Sequence, residues 1–215
     1  MLRIEALDVS IASVGILRGV NMDVPTGKFV GLIGRNGAGK TTLMRSVMGI
    51  LPPRQGSISF DGAVLGKIPV HERARNGIGY MPEDRRLVPS LTVEENVLIP
   101  AWSAGVADPR ERLADVYKMI PEVRAFSERR ALQLSGGQQK LVALARALMC
   151  GTKLLLLDEP FEGVAPVLAK RLAEVISGLK QRGLSIVLTE SDLSHSRDML
   201  DVIYSIDRGQ VSISG

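Results

Sequence analysis

The chain has 215 residues, 45% of them hydrophobic and 4% aromatic, enough for one α/β unit with a sizeable core, or one plus a small subdomain. Its single cysteine, Cys150, excludes an intramolecular disulfide framework and points to a reducing compartment, and no run of about 18 apolar residues is present to span a bilayer. The net charge of +4 is scattered, and clusters such as Arg85-Arg86 and Arg129-Arg130 each adjoin an acid, so no nucleic-acid groove is expected.

Residues 1–9 carry charges where a signal peptide needs an apolar run, so none is expected. Leu2, Ile4 and Val9, then Val20, Met22 and Val24, alternate with polar residues and predict an antiparallel β-subdomain. Residues 57–62 read as a further strand of it, closed by a turn. Phe29–Ile33 is a short apolar run that predicts a buried strand, and residues 41–48 predict a helix with one apolar stripe.

Between that strand and helix lies Gly34-Arg35-Asn36-Gly37-Ala38-Gly39-Lys40-Thr41, followed by Thr42. Glycines in a strand-to-helix turn let backbone N–H groups point around phosphate oxygens, and the helix start adds its positive dipole end. Lys40 is placed to reach the β- and γ-phosphates and the Thr41 hydroxyl to ligate Mg²⁺, so the motif asks for ATP and magnesium.

Residues 77–81 predict another strand, stopped by Pro82, after which a polar loop begins. Residues 92–147 read as mostly helical, with breaks at Pro100, Asp108-Pro109 and Pro121. Within them Leu134-Ser135-Gly136-Gly137-Gln138 opens a helix with Ser135 as N-cap. That is a second helix start able to meet an anion, although turn chemistry alone also allows a plain capped helix after a loop.

Leu154–Asp158, four leucines ahead of a carboxylate, suits the centre of a parallel sheet with its C-terminal end at a ligand crevice. There Asp158 would hold Mg²⁺ through water, and Glu159 would orient or deprotonate an attacking water. The alternation continues with helix 167–182, strand Ser185–Glu190, helix 192–200 and strand Val202–Asp207. The sequence stops soon after, so no regulatory domain is expected.

The phosphate loop, the Leu-Ser-Gly-Gly-Gln segment and the acidic strand, in that order, resemble the nucleotide-binding subunit of an ATP-binding cassette (ABC) transporter. The resemblance implies an α/β P-loop NTPase fold in one domain, residues 1–215. Residues 1–81 and 153–215 would form the nucleotide-binding core with its β-subdomain, and about 92–150 the helical subdomain ending in the signature helix. It also implies catalytic roles for Glu159 and Lys40. Two cassettes, identical or related, would sandwich ATP head to tail, with Ser135, Gly136, Gly137 and Gln138 of one capping the phosphate held by the other. Further partners implied are two transmembrane permease subunits, gripped by the helical subdomain, and indirectly a solute-binding protein. The chain would then sit on the cytoplasmic, inner face of the plasma membrane.

Four positions depart from the family pattern. Glu83 stands where a glutamine usually touches Mg²⁺, keeping the reach and adding charge, which suits a cation ligand. Ile11 replaces an aromatic residue that stacks on adenine, a loss of about 1 kcal/mol. Ser191 replaces a histidine near the γ-phosphate and can donate one hydrogen bond without holding positive charge. His195, one helical turn on, reads as a surface or packed histidine, and Ala165 replaces an aspartate at the cassette interface. Glu83 and Phe161-Glu162-Gly163-Val164-Ala165-Pro166 resemble the branch that imports branched-chain amino acids and small polar solutes such as urea or amides. An exporter of the lipopolysaccharide-extracting type, a soluble ABC ATPase acting on DNA or ribosomes, and a subunit that binds ATP without hydrolysis are the alternatives. The soluble kinds carry a coiled-coil insertion or a second cassette, and this sequence has neither.

Overall fold

A computed structural model describes residues 1–214; Gly215, the last residue of the expected cassette, lies outside them. In chain order the elements are β1 (Leu2–Ile11), β2 (Val14–Val24), β3 (Phe29–Ile33), α1 (Lys40–Val47), β4 (Gln55–Phe60), β5 (Ala63–Val64) and β6 (Ile78–Met81). Then come α2 (Val93–Ala104), α3 (Pro109–Met119), α4 (Pro121–Ala125), α5 (Gly136–Cys150), β7 (Leu154–Asp158), α6 (Pro166–Gly178), β8 (Ser185–Glu190), β9 (Val202–Asp207) and β10 (Gln210–Ile213).

Two sheets result. The antiparallel sheet has the order β2-β1-β4-β5, and the larger sheet has the order β10-β9-β3-β8-β7-β6, parallel except for β10. On β1 the buried positions change parity, from Leu2 and Ile4 to Leu7 and Val9, because the pairing register shifts between Ile4 and Leu7. Ala6 takes a left-handed φ of 43° in that bulge, which returns the apolar residues to the core face. The opposing Gly56 has no room for a Cβ, which would run into the carbonyls of Glu5 and Ala6.

Helix α1 lies between the sheets: Leu43, Met44 and Val47 join the core made by Leu2, Ile4, Phe60, Val30, Leu32 and Leu156. The other face of the parallel sheet is covered by α2 to α6 in a second core that contains Leu155, Leu157, Val97, Leu144, Leu148 and Leu172. Every residue of β7 and β8 is buried, as strands covered on both faces must be.

Two expectations fail. Pro100 does not break a helix; α2 runs through it, because Val93, Val97, Ala101 and Ala104 keep one face packed on the second core and offset the missing backbone bond. Residues 192–200 form turns and a short 3₁₀ stretch, Arg197–Met199, instead of an α-helix. Asp192 accepts from the Ser194 N–H at 2.8 Å and also from its hydroxyl, and the Ser196 hydroxyl turns inward to Glu190. Those local bonds compete with a helical ladder. Strand β10 escaped the sequence reading because Gln210–Ile213 holds only two apolar residues.

Candidate functional site

The C-terminal ends of β3, β7 and β8 are adjacent, and the site gathers there. Pairing of Ile33 with Glu190 and of Asp158 with Thr189 sets the loops after the three strands side by side. The loop after β3 turns sharply: Gly37 and Gly39 have φ of 81° and 116°, and a Cβ on Gly34 would collide with the Ile206 carbonyl. Ala38 is buried, its N–H donating to the Arg35 carbonyl at 3.1 Å. Lys40, 5% exposed at the start of α1, donates to the carbonyls of Gly34 and, at 3.1 Å, Arg35, and ion-pairs with Glu159 at 2.9 Å.

Asp158 is fully buried. The hydroxyls of Thr189, Thr41 and Tyr80 donate to its carboxylate at 2.8, 3.2 and 3.3 Å. Burial pushes its carboxyl above the usual range, and those three bonds, which favour the ionised form, oppose the push. The Thr41 hydroxyl and the Asp158 carboxylate are oxygen donors in contact, the set that magnesium takes. Glu83 lines the same cavity from the loop after β6, where desolvation, then repulsion from Glu162, Asp158 and Glu159, raises its carboxyl. Among the described residues no hydrogen bond joins Glu83 to Thr41 or Asp158, so of the three expected metal ligands two touch, and the third, Glu83, shares a cavity with Thr41.

Glu159 has a left-handed φ of 48°, and its N–H donates to the Thr189 carbonyl at 3.2 Å and hydroxyl at 3.0 Å. The Ser191 hydroxyl lies between two acceptors, the Glu159 carboxylate at 3.3 Å and Asn36 Oδ1 at 3.0 Å, and shares its one proton between them, linking the third strand's loop to the phosphate loop. His195 lies elsewhere, stacked on Phe161 with ring centres 5.4 Å apart.

The cavity between these groups, about 450 Å³, is lined by Ile16, Asn36, Gly37, Gly39, Lys40, Thr41, Thr42, Glu83 and Glu159. Ile11 is 45% exposed and does not line it; the apolar wall is Ile16 on β2, which the sequence reading missed. Period-two alternation marks which strand residues share a face, but the wall across the hairpin is set by its turn. Ser135, Gly136, Gly137 and Gln138 are not in this cavity either. They open α5 in a capping box, the Gln138 N–H donating to Ser135 Oγ at 3.3 Å and the Ser135 N–H to Gln138 Oε1 at 3.0 Å.

A mononucleotide-sized cleft at a phosphate loop, with a threonine–aspartate pair and a glutamate beside the lysine, occurs in this chain together with a second glycine-rich helix start that does not line it. The family model described as "ABC transporter" matches residues 17–162. The chain belongs to the ABC transporter ATP-binding cassette family. A high-affinity branched-chain amino acid transport ATP-binding protein, BraG of Pseudomonas aeruginosa, is 34% identical over 98% of this chain and 91% of its own. The lipopolysaccharide export system ATP-binding protein LptB of Haemophilus influenzae is also 34% identical, covering 100% of this chain and 90% of its own. A dimeric, post-hydrolysis cassette bound to ADP and Pi superposes with a TM-score of 0.88 at 25% identity, covering 99% of this chain and 97% of that one. The cassette is an ATPase, and its α/β P-loop fold is the one the sequence implies.

The loop that carries Glu83 is held by the helical subdomain. Arg85 and Arg86 take left-handed φ of 62° and 49°, and Arg146 of α5 donates to both their carbonyls, at 2.6 Å to Arg86. Arg85 in turn donates to the Gly136 carbonyl and the Gln139 side chain, each at 3.2 Å. The start of α5 and the Glu83 loop are therefore bonded to each other.

Proposed function

We propose that this cassette powers an importer for branched-chain amino acids or related small polar solutes, working as a dimer of cassettes on the cytoplasmic face of the membrane beneath two permease subunits. The observation that carries the hydrolytic part is the Glu159 carboxylate set 2.9 Å from the Lys40 ammonium, beside the Thr41–Asp158 pair. The likeness to BraG, and to an archaeal protein named as a probable branched-chain amino acid transport subunit, LivF of Archaeoglobus fulgidus, supports the importer. Among the described residues no helix is long and apolar enough to cross a membrane, so the permease contact falls to the surface. A groove of about 360 Å³ between core and helical subdomain, lined by Met48, Ile50, Ile99, Pro100 and Arg146, is suited to a permease helix.

In this reading the loop amides and Lys40 bind the phosphates, and Thr41, Asp158 and Glu83 hold magnesium. A magnesium ion held there would supply positive charge to offset that of the phosphates. Glu159 takes the proton of the attacking water, and Ser191 orients its carboxylate. Ser135, Gly137 and Gln138 of the second cassette cover the phosphate and exclude water.

In Glu159→Gln, the Mg·ATP dissociation constant should stay within about threefold while turnover falls at least about 100-fold. Unchanged turnover would remove Glu159 from the role. The likeness to LptB favours a second reading, an exporter subunit of the lipopolysaccharide type. Co-purification with amino-acid permeases or with lipopolysaccharide-export permeases, each co-expressed with the chain, decides between them.

A further inference from the structure

Lys140 lies on α5, two residues beyond Gln138, with 3% of its surface exposed. Its ammonium donates to the backbone carbonyl of Glu159 at 2.6 Å. Burial, then the nearby Arg85, lowers its pKa, while the carboxylates of Glu162, Glu83 and Glu159 raise it. A buried ammonium is costly, and a methionine would fill the same volume without that cost. The cation therefore demands an explanation that packing does not provide.

Glu159 supplies one. Its backbone is left-handed at φ 48°, and the peptide groups on both sides of the residue are held. Its N–H is bound by Thr189 of β8 and its carbonyl by Lys140 of α5. With backbone clamped at both ends, the carboxylate meets Lys40 at 2.9 Å and Ser191 at 3.3 Å.

We propose that Lys140 is a positioning residue for Glu159, tying the glutamate of a chain's own cavity to the helix whose first turn lies outside that cavity. The inference rests on the reading of Glu159 as the residue that activates water. If two cassettes pair, a displacement of Ser135–Gln138 by nucleotide in one site reaches the Glu159 of the other site through one hydrogen bond, Lys140 Nζ to the Glu159 carbonyl. Lys140 touches no reacting atom. It acts through the backbone of the residue that does.

The test compares Lys140→Met, Lys140→Arg, Glu159→Gln and the Lys140→Met/Glu159→Gln double variant, all in the full chain, by turnover, Mg·ATP affinity, thermal stability and amide exchange. Lys140→Met should lower kcat at least about 10-fold with Mg·ATP affinity within about twofold and no loss of thermal stability. Lys140→Arg, which keeps a donor, should recover most of that loss. The double variant should be no slower than Glu159→Gln alone, since both act on one group. Amides of residues 161–163 should exchange faster in Lys140→Met while α5 stays protected, a readout that needs no turnover. Turnover or exchange unchanged in Lys140→Met overturns the proposal. Equal loss in Met and Arg variants with lowered stability also overturns it, in favour of packing. Wild-type turnover in Glu159→Gln overturns the underlying reading instead.

Discussion

At the scale of single residues, Glu190 carries a cost that pH exposes. It is 4% exposed at the end of β8, and burial, only partly countered by the Ser196 hydroxyl, pushes its carboxyl up to about 7. Between the ordinary carboxylate range and pH 7 the folded chain holds this proton more tightly than the unfolded one, so stability falls as pH rises through that window. By about pH 8 most of the population is ionised. Glu190→Gln should therefore gain stability relative to wild type between pH 5 and pH 8, by at most about 3 kcal/mol, in urea unfolding at the two pH values. An equal difference at both would mean that Glu190 ionises freely. Its neighbour Ser191 has a different part, joining Asn36 to the Glu159 carboxylate, which its sequence position alone did not indicate.

At the scale of elements, α1 is finished from a distance. The guanidinium of Arg73, 5% exposed, donates to Ser46 at 3.2 Å and to Val47 at the helix end, and to Leu65 at 2.8 Å. It thus satisfies the terminal carbonyls and places positive charge at the negative end of the dipole. Gly49, with φ of 76°, lets the chain leave the helix, and a Cβ there would strike the same guanidinium. Arg73→Ala should cost about 3 kcal/mol or more in denaturant unfolding, because several buried carbonyls lose their donor together. Lysine should restore only part of it, having no planar fork. A cost below about 1 kcal/mol would show that other groups cap α1.

At the scale of the whole molecule, the two glycine-rich helix starts do not share a cavity. The cavity at α1 contains Lys40, Thr41 and Glu159 but no residue of Ser135–Gln138. A site that needs both must draw them from two chains. ATPase activity per chain should accordingly rise with protein concentration and then level off, measured over about a 100-fold range. Constant specific activity across that range would mean that one chain hydrolyses ATP alone. The inter-subunit path would then act through α5, which holds the Glu83 loop through Arg146 and the Glu159 loop through Lys140.

The chemistry of the site was legible in the sequence because it lies in contiguous segments. A strand, a glycine-rich turn and a helix start are local, and so are four leucines ahead of Asp158 and Glu159; period and turn chemistry suffice to read them. What the sequence by itself determined was thus the α/β class, the ATP-binding loop and the family. Tertiary structure decided the rest, where groups far apart in the chain meet. It set Ile16 rather than Ile11 at the cavity wall, let packing carry α2 through Pro100, and turned Ser196 onto Glu190 in place of a helix. It also brought Lys140 onto a carbonyl 19 residues away. A long-range contact depends on how elements pack, and no local pattern encodes the partner that a side chain will find.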